Sequence, residues 1–342
     1  MDHDRDVYVG LDYHTKSVQV CVVDADGRLL ANRPVRDGVS GVINAAEQFG
    51  VVRRVAIESC GGAAEMAETL IQLKDWTVNL AHPGYVNRMK QNPDKSDYSD
   101  AHMLAELTRV GFLPRVWLAP RAIRELRALV RVRQQYVNQR RAIKLRIAAI
   151  LREYHIRPGD DIGRSWSKHW RGWLEQVAVS DTIRWIIDEH MEQHDWVVQR
   201  ITQTEQKLCA VTDGDEIIQR LQSLRGIGPV TAWVLRAEIG RFDRFRCGKQ
   251  LARYCGLTPR NASSGERRAD AGLIKAGNPL LRATLIEAAH RLARYDERWR
   301  TLAISMRARG KAGSLVAAAV ANRWIRSLWS VMTATRGAAP MT

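Results

Sequence analysis

The first hundred residues alternate short β-branched runs with longer amphipathic ones. VYVGLD (7–12) and SVQVCVVD (17–24) carry strand character, and DADG (24–27) supplies a glycine-containing turn, so together they predict a β-hairpin. VVRRVAIES (51–59) predicts another strand, followed by Gly61, Gly62 and a helical pattern, AAEMAETLIQLK. WTVNLAHP (76–83) predicts a further strand stopped by Pro83, and DAHMLAELTRVG (100–111) an amphipathic helix ending at Gly111. A hairpin followed by alternating strands and helices indicates an α/β layer with a mixed sheet.

The pattern then changes. From Arg121 to Tyr154 there is no Pro or Gly, and Ile123, Leu126, Val130, Val137, Ile147 and Leu151 follow a heptad frame interrupted by Arg133, Arg140 and Lys144. That spacing predicts one long basic helix with coiled-coil or hairpin packing. HIRPGDDIG (155–163) breaks it, and Trp166, Trp170 and Trp173 are spaced for one helical face, expected in a core. A second long helix is predicted over 181–211, with Ile183, Ile187, Met191, Val197, Ile201 and Leu208 as its apolar stripe. Two such helices joined by a compact linker predict an antiparallel hairpin. In LQSLRGIGPVTAWVLRAEIG (221–240), Gly226 and Gly228 lie between two helical patterns, as in a helix-hairpin-helix whose glycine turn exposes backbone N–H groups to a phosphate. A plain glycine cap between packed helices is the structural alternative. The expected division is an α/β region over 1–118, a helical arm over 119–211 and a mainly α region over 212–342.

Charge sharpens this division. The 342 residues carry 53 Lys plus Arg against 37 Asp plus Glu, a net of +16. Residues 1–119 hold 13 basic and 16 acidic side chains, whereas 120–342 hold 40 and 21. A strongly basic remainder behind an acidic first part points to a polyanionic partner, most simply nucleic acid. The five cysteines have no CxxC pair, which suits reduced thiols rather than a disulfide framework or zinc site. The start MDHDRD lacks signal-peptide order, and the apolar stretch 315–333 is broken by Arg323 and Arg326, so the expectation is a cytoplasmic protein without a membrane span.

Candidate chemistry lies in two places. Asp12 and Glu58 end predicted strands, where open α/β sheets put their ligand chemistry, and Asp97 and Asp100 stand one turn apart at a helix start. Four such carboxylates suit one or two Mg²⁺ ions, which in pairs stabilise the attacking and leaving oxygens of phosphoryl transfer. Singly, each has a structural role open to it: Asp12 a turn, Glu58 a surface charge, Asp97 a helix cap. The second place is GLTPRNASSGERRADAGLIKAGNPLLRATL (256–285), where Ser263 and Ser264 precede Gly265, Arg267 and Arg268, with Lys275 and Arg282 beyond. A serine among cations suits a nucleophile aimed at phosphorus, although a Ser-Ser-Gly loop also suits a simple turn.

Together these pieces resemble the transposases of insertion sequence family 110, the DEDD transposases, which include Piv-type DNA invertases. VGLDYHTKS, AIESCG and KSDYSDAHMLAE match the first domain of that family; RGIGPVTAWVL, RFDRFRCGKQLARYCGLTPR and SSGERRADAGLIKAGNPLLR match the second. The resemblance implies an RNase H-fold, RuvC-like domain whose tetrad is Asp12, Glu58, Asp97 and Asp100, holding Mg²⁺ (or Mn²⁺). It also implies a nucleophile at Ser264, with Ser263 one residue away, that forms a 5′-phosphoserine link to DNA. Further implications are a homo-oligomer, dimer or tetramer, pairing the RuvC-like domain of one protomer with the serine of another, and a structured non-coding RNA that selects donor and target DNA. Gly226, Gly228, Arg267, Arg268, Lys275 and Arg282 are the expected nucleic-acid contacts. Family members usually carry Ser or Thr where this chain has Ile274. The competing expectations are a RuvC-like, metal-dependent nuclease such as a junction resolvase, with water as nucleophile, and a non-enzymatic RNA-binding scaffold.

Overall fold

The computed structural model describes residues 5–89, 96–261, 270–274 and 277–334. The chain forms two compact units, Met1–Pro120 and Arg121–Thr342.

The first unit is built on six strands: β1 (Asp6–Tyr13), β2 (Val18–Asp24), β3 (Leu29–Val35), β4 (Val51–Glu58), β5 (Val78–Ala81) and β6 (Arg115–Val116). Their spatial order is β3-β2-β1-β4-β5-β6. The first three pair antiparallel, β4 runs parallel to β1, β5 parallel to β4, and β6 antiparallel to β5. Between β1 and β4 the chain departs in opposite directions, so the ends of these two strands open a crevice of the kind where α/β sheets bind ligands. The predicted hairpin is β1–β2. The DADG turn leads onward from it into β3, where the Gly27 N–H donates to the Asp24 carbonyl.

Strand alternation assigns the two faces. Val7, Val9, Leu11, Val18, Val20, Val22, Val55 and Ile57 point to one side. There α1 (Gly38–Glu47) and α2 (Ala63–Lys74) cover them with Val42, Ala46, Met66 and Leu70. Tyr8, Cys21, Val23 and Ala56 point to the other side. That face is covered by α3 (Pro83–Met89) and α4 (Asp97–Arg109) through Val86, Ala101, Leu104 and Ala105. Gly10 lies on this second face, and its missing Cβ is what lets the α4 backbone at Ala101 and Ala105 lie directly on the sheet.

The second unit begins with α5 (Arg121–Glu153), α6 (Lys168–Gln176) and α7 (Asp181–Val211). The two long helices run antiparallel, with Arg133 of one bonded to Glu205 of the other at 2.7 Å and Tyr136 edge-on to Trp196. Ile143, Ile147, Leu151, Ile187, Val197 and Ile201 form the seam, closed at one end by Trp170 and Leu174 of α6. Trp166 departs from the expected helical face. It precedes the Ser167 cap in a left-handed conformation (φ 69°) and stacks on buried His194, with the Lys144 ammonium over its ring.

The remaining helices are α8 (Glu216–Gln222), α9 (Pro229–Ile239), α10 (Gly248–Tyr254), α11 (Pro279–Tyr295), α12 (Glu297–Ala308) and α13 (Gly313–Thr333). They share one large core that takes in Leu126, Val130 and Leu208 from the long helices. Val316, Val320, Ala321, Trp324, Ile325 and Leu328 place the apolar stretch of α13 in that core. Among the described residues no helix is long and apolar enough to cross a membrane. A two-stranded ribbon, β7 (Pro259–Asn261) and β8 (Asp270–Leu273), lies between α10 and α11.

Candidate functional site

The face rule that seats α4 also aims the carboxylates. Asp12 follows Gly10 by two residues and Glu58 follows Ala56 by two, so both project toward the side that α4 covers. Leu11 pairs with Ile57 in parallel register, which places Asp12 and Glu58 side by side on adjacent strands. From the helix, Asp97 stands one turn before Ala101, the residue seated over Gly10, and Asp100 one turn before buried Leu104. The cap at this helix start is Ser96, whose hydroxyl accepts from the Ser99 N–H at 3.1 Å. Asp97 therefore does not cap; it is the first helical residue, with its carboxylate available to the crevice.

Distances and electrostatics tie the group together. His14 Nε2 lies 3.3 Å from Asp12 Oδ2 and 3.4 Å from Asp97 Oδ1. One donor atom from each of Asp12, His14 and Asp97 falls within 4.8 Å of the others. Burial raises the Asp12 carboxyl above the ordinary carboxylate range; His14 pulls it down, while Asp97 and Asp100 push it up. The Cys60 thiol is pushed up by burial, then by the charges of Glu58 and Asp12. Each acidic residue predicted from sequence is thus electrically coupled to Asp12 or shares a neighbour with it. Asp100 is the most enclosed, at 6% exposure, and Asp97 the most open, with its side chain at 55%.

Such a set suits a divalent cation. The donors are hard oxygens with one imidazole, and gathering like charges where burial already disfavours ionisation costs energy that a cation would relieve. His14 and Gly10 are the residues that sequence reasoning missed. For His14 the signal was its spacing, since two residues after Asp12 puts both side chains on one face. For Gly10 it was a glycine inside an otherwise β-branched strand, a mark of close backbone approach.

The second unit holds the other expected residues. Gly226 and Gly228 lie in the turn between α8 and α9. Gly226 has φ 86°, which favours glycine, and a Cβ there would meet Leu292 Cδ2 at 2.6 Å, so that side chain would have to shift. Gly228 is the N-cap of α9, with nothing within 4 Å of where its Cβ would be. The turn opens on a groove of about 790 Å³ lined also by Arg141, Arg291 and Glu287. Arg282 is half-buried on α11, whose N-cap is Asn278, its side-chain oxygen accepting from the Leu280 N–H at 2.8 Å. Gly277 (φ 99°) passes against the Tyr254 carbonyl, too close for any Cβ. Ser263, Ser264, Arg267, Arg268 and Lys275 lie outside the described residues; the serines fall in chain order between β7 and β8.

Comparison with known proteins bears on both units. A family model described as Transposase, the DEDD domain of the IS110 type, matches residues 9–156. A second, described as Transposase IS116/IS110/IS902 family, matches residues 218–303. The chain is 27% identical over 338 residues to the transposase for insertion sequence element IS1111A of Coxiella burnetii, covering 95% of this chain and 89% of that one. It is 29% identical over 290 residues to a Pseudomonas aeruginosa protein named "Probable family 20 transposase", covering 82% and 83%. It is 28% identical over 295 residues to the transposase for insertion sequence element IS1328 of Yersinia enterocolitica, again covering 82% and 83%. The DEDD model spans the strands and helix that carry the acidic group, and the second model spans the glycine turn and the segment with the paired serines. With both parts matched in order, the comparisons support an IS110-type insertion-sequence transposase.

Proposed function

We propose that this transposase cuts and rejoins DNA through a covalent phosphoserine intermediate formed by Ser264, with Ser263 as the adjacent alternative, working with a metal centre built from Asp12, Glu58, Asp97 and Asp100. The observation that carries the reading is the convergence of Asp12, Asp97 and Asp100 on one crevice at the ends of β1 and β4, in a chain whose second family match contains the serine segment. The sheet order, three antiparallel strands followed by two parallel ones, supports an RNase H-like, RuvC-like assignment for the first unit. The three-part division into 1–118, 119–211 and 212–342 is retained as a functional one, with the α5–α7 pair as a coiled-coil arm.

In the cutting step the serine oxygen bonds to phosphorus, the bond to the 3′ oxygen breaks, and the serine proton is matched by the one the departing 3′ hydroxyl gains. Rejoining reverses this, as a 3′ hydroxyl attacks the phosphoserine and returns the serine. A divalent ion, Mg²⁺ or Mn²⁺, when bound, supplies charge stabilisation to phosphoryl oxygens. Asp12 and Glu58 would hold it from the sheet, Asp97 and Asp100 from the helix. Arg267, Arg268, Lys275 and Arg282 would neutralise the transferring phosphate, and the Gly226–Gly228 turn and its groove would grip the nucleic-acid backbone, the role expected of a helix-hairpin-helix. A structured guide RNA would choose donor and target DNA. A homo-oligomer would let the acidic centre of one protomer serve the serine of another.

A second reading, hydrolysis by a RuvC-like nuclease with water as nucleophile, is favoured by the acidic crevice alone, which is complete without any serine. Trapping on a nicked or suicide DNA substrate separates the two. The transposase–DNA adduct should survive denaturation and vanish in Ser264→Ala, while DNA binding persists. Cleavage by Ser264→Ala together with Ser263→Ala at the wild-type rate, with no adduct, refutes the serine mechanism and leaves the nuclease.

A further inference from the structure

The geometry points to His14 as a nitrogen ligand of the metal centre, one that biases the site toward Mn²⁺ over Mg²⁺. The inference rests on the reading of the acidic crevice as a metal site and adds a donor outside the four carboxylates.

The position is determined by the backbone. His14 leaves the end of β1 two residues after Asp12, and its N–H donates to the Ser17 carbonyl at 3.0 Å, closing the turn into β2. That turn points the ring into the crevice, with Nε2 at 3.3 Å from Asp12 Oδ2 and 3.4 Å from Asp97 Oδ1. Adjacent ligands of a six-coordinate ion with bonds of about 2.1–2.2 Å stand about 3 Å apart. Two edges of one coordination face, from His14 to Asp12 and from His14 to Asp97, are therefore already close to that length, and donor atoms of Asp12 and Asp97 lie within 4.8 Å of each other, drawn from a strand, a turn and a helix. An imidazole that only paired with a surface carboxylate would need one partner; this one reaches two, on elements distant in sequence.

The consequence for the ion follows from ligand chemistry. Mg²⁺ takes oxygen ligands and keeps several waters, whereas imidazole nitrogen favours transition metals. A mixed site of carboxylates and one imidazole would accept either ion but hold Mn²⁺ more tightly, and losing the nitrogen would remove the difference. The side chain of His14 is 47% exposed, so replacing it disturbs no core contact.

The test uses the full chain with Mn²⁺ alone, and a readout independent of recombination. Pulsed EPR of bound Mn²⁺ should show nitrogen coupling in the wild type and none in His14→Gln. Mn²⁺ affinity should fall about tenfold or more, the scale seen when ligand support is lost. Mg²⁺ affinity, measured by competition, should change by less than about threefold, because that ion gains little from nitrogen. Melting temperatures of the two proteins should agree. Mn²⁺ bound without nitrogen coupling, coupling that persists in His14→Gln, or equal losses for both ions would overturn the assignment while leaving the carboxylate centre standing. A wild type that binds no Mn²⁺ at all overturns the metal reading beneath it, and the His14 assignment falls with it.

Discussion

Gly10→Ala should destabilise the first unit and disturb its acidic crevice, although general rules point the other way. Glycine inside a strand is usually a weakness, and replacing it with alanine is worth roughly 0.5–1 kcal/mol in stability. Here the added Cβ would overlap the Ala101 carbonyl oxygen and the Ala105 nitrogen, and would sit 3.1 Å from the Ala101 carbonyl carbon. All three atoms are backbone, so no rotamer change relieves the contact. Ordinary separations are about 3.5–4.0 Å, which means α4 must retreat from the sheet by roughly 1 Å or more. Overpacking of this kind typically costs 1–3 kcal/mol, and the upper end applies because a whole helix moves. Set against the generic gain, the net loss should be about 2 kcal/mol. Hydrogen exchange of the β1 and α4 amides in the full chain reads this unit by itself. Gly61→Ala is the control, since nothing lies within 4 Å of its Cβ position. As α4 retreats it carries Asp97 away from Asp12, so Mn²⁺ binding should weaken in the same variant. Protection in Gly10→Ala equal to or greater than wild type would refute the close seating of α4, and with it the account of how the carboxylates are brought together.

Two further outcomes follow from charge. Asp12 has its carboxyl raised above the ordinary value of 3.8, chiefly by burial. The folded state thus binds more protons than the unfolded one, and stability present below that value is lost as pH rises through the raised one. Asp12→Asn should therefore melt higher than wild type near neutral pH in chelator, with the gap closing toward pH 4, while strand transfer is lost; a lower melting point near neutral pH would refute this. In the second unit, buried Glu238 lies 3.5 Å from Arg127 and 3.3 Å from Arg131. Glu238→Ala leaves partly buried guanidiniums without their partner and should cost about 3 kcal/mol in urea denaturation, the lower end of the range for breaking such pairs because Arg131 is largely exposed. A loss below about 1 kcal/mol would show that solvent already satisfies them.

What could be read along the chain was whatever advertised itself by period. β1, β2, β4 and β5 are apolar runs because they are covered on both faces, and α5 and α7 carry long stripes because each buries one side against the other. β3 escaped notice for the opposite reason. LLANRPV lies at the sheet edge, half-exposed, with Asn32 and Arg33 tolerated and Pro34 allowed where no further strand needs its N–H. The helix α1 has Asp37 at its N-cap but no capping side-chain hydrogen bond, and Gly38 and Gly41 in its first turn weaken the helical pattern. Trp166 fitted the spacing of a helical face, yet the chain turns at Ser167 and leaves it outside the helix. Buried His194 interrupts an otherwise apolar stripe because its partner is a stacked ring.

The site divides along the same line. Asp12 and Glu58 were legible because strand ends are predictable, but their shared orientation depends on register, which no local pattern encodes. Leu11 opposite Ile57 makes the two carboxylates neighbours; a slip of one residue would send one of them to the α1–α2 face. Register here is set by a fully apolar first face and by a second face that must admit a helix backbone. Gly10 and Ala56, the small residues under α4, satisfy that requirement, and Asp12 and Glu58 are the next residues of the same parity. The geometry of the acidic group is therefore an extension of the packing rule: the residues that let the helix down onto the sheet are two positions before the residues that the helix start must meet.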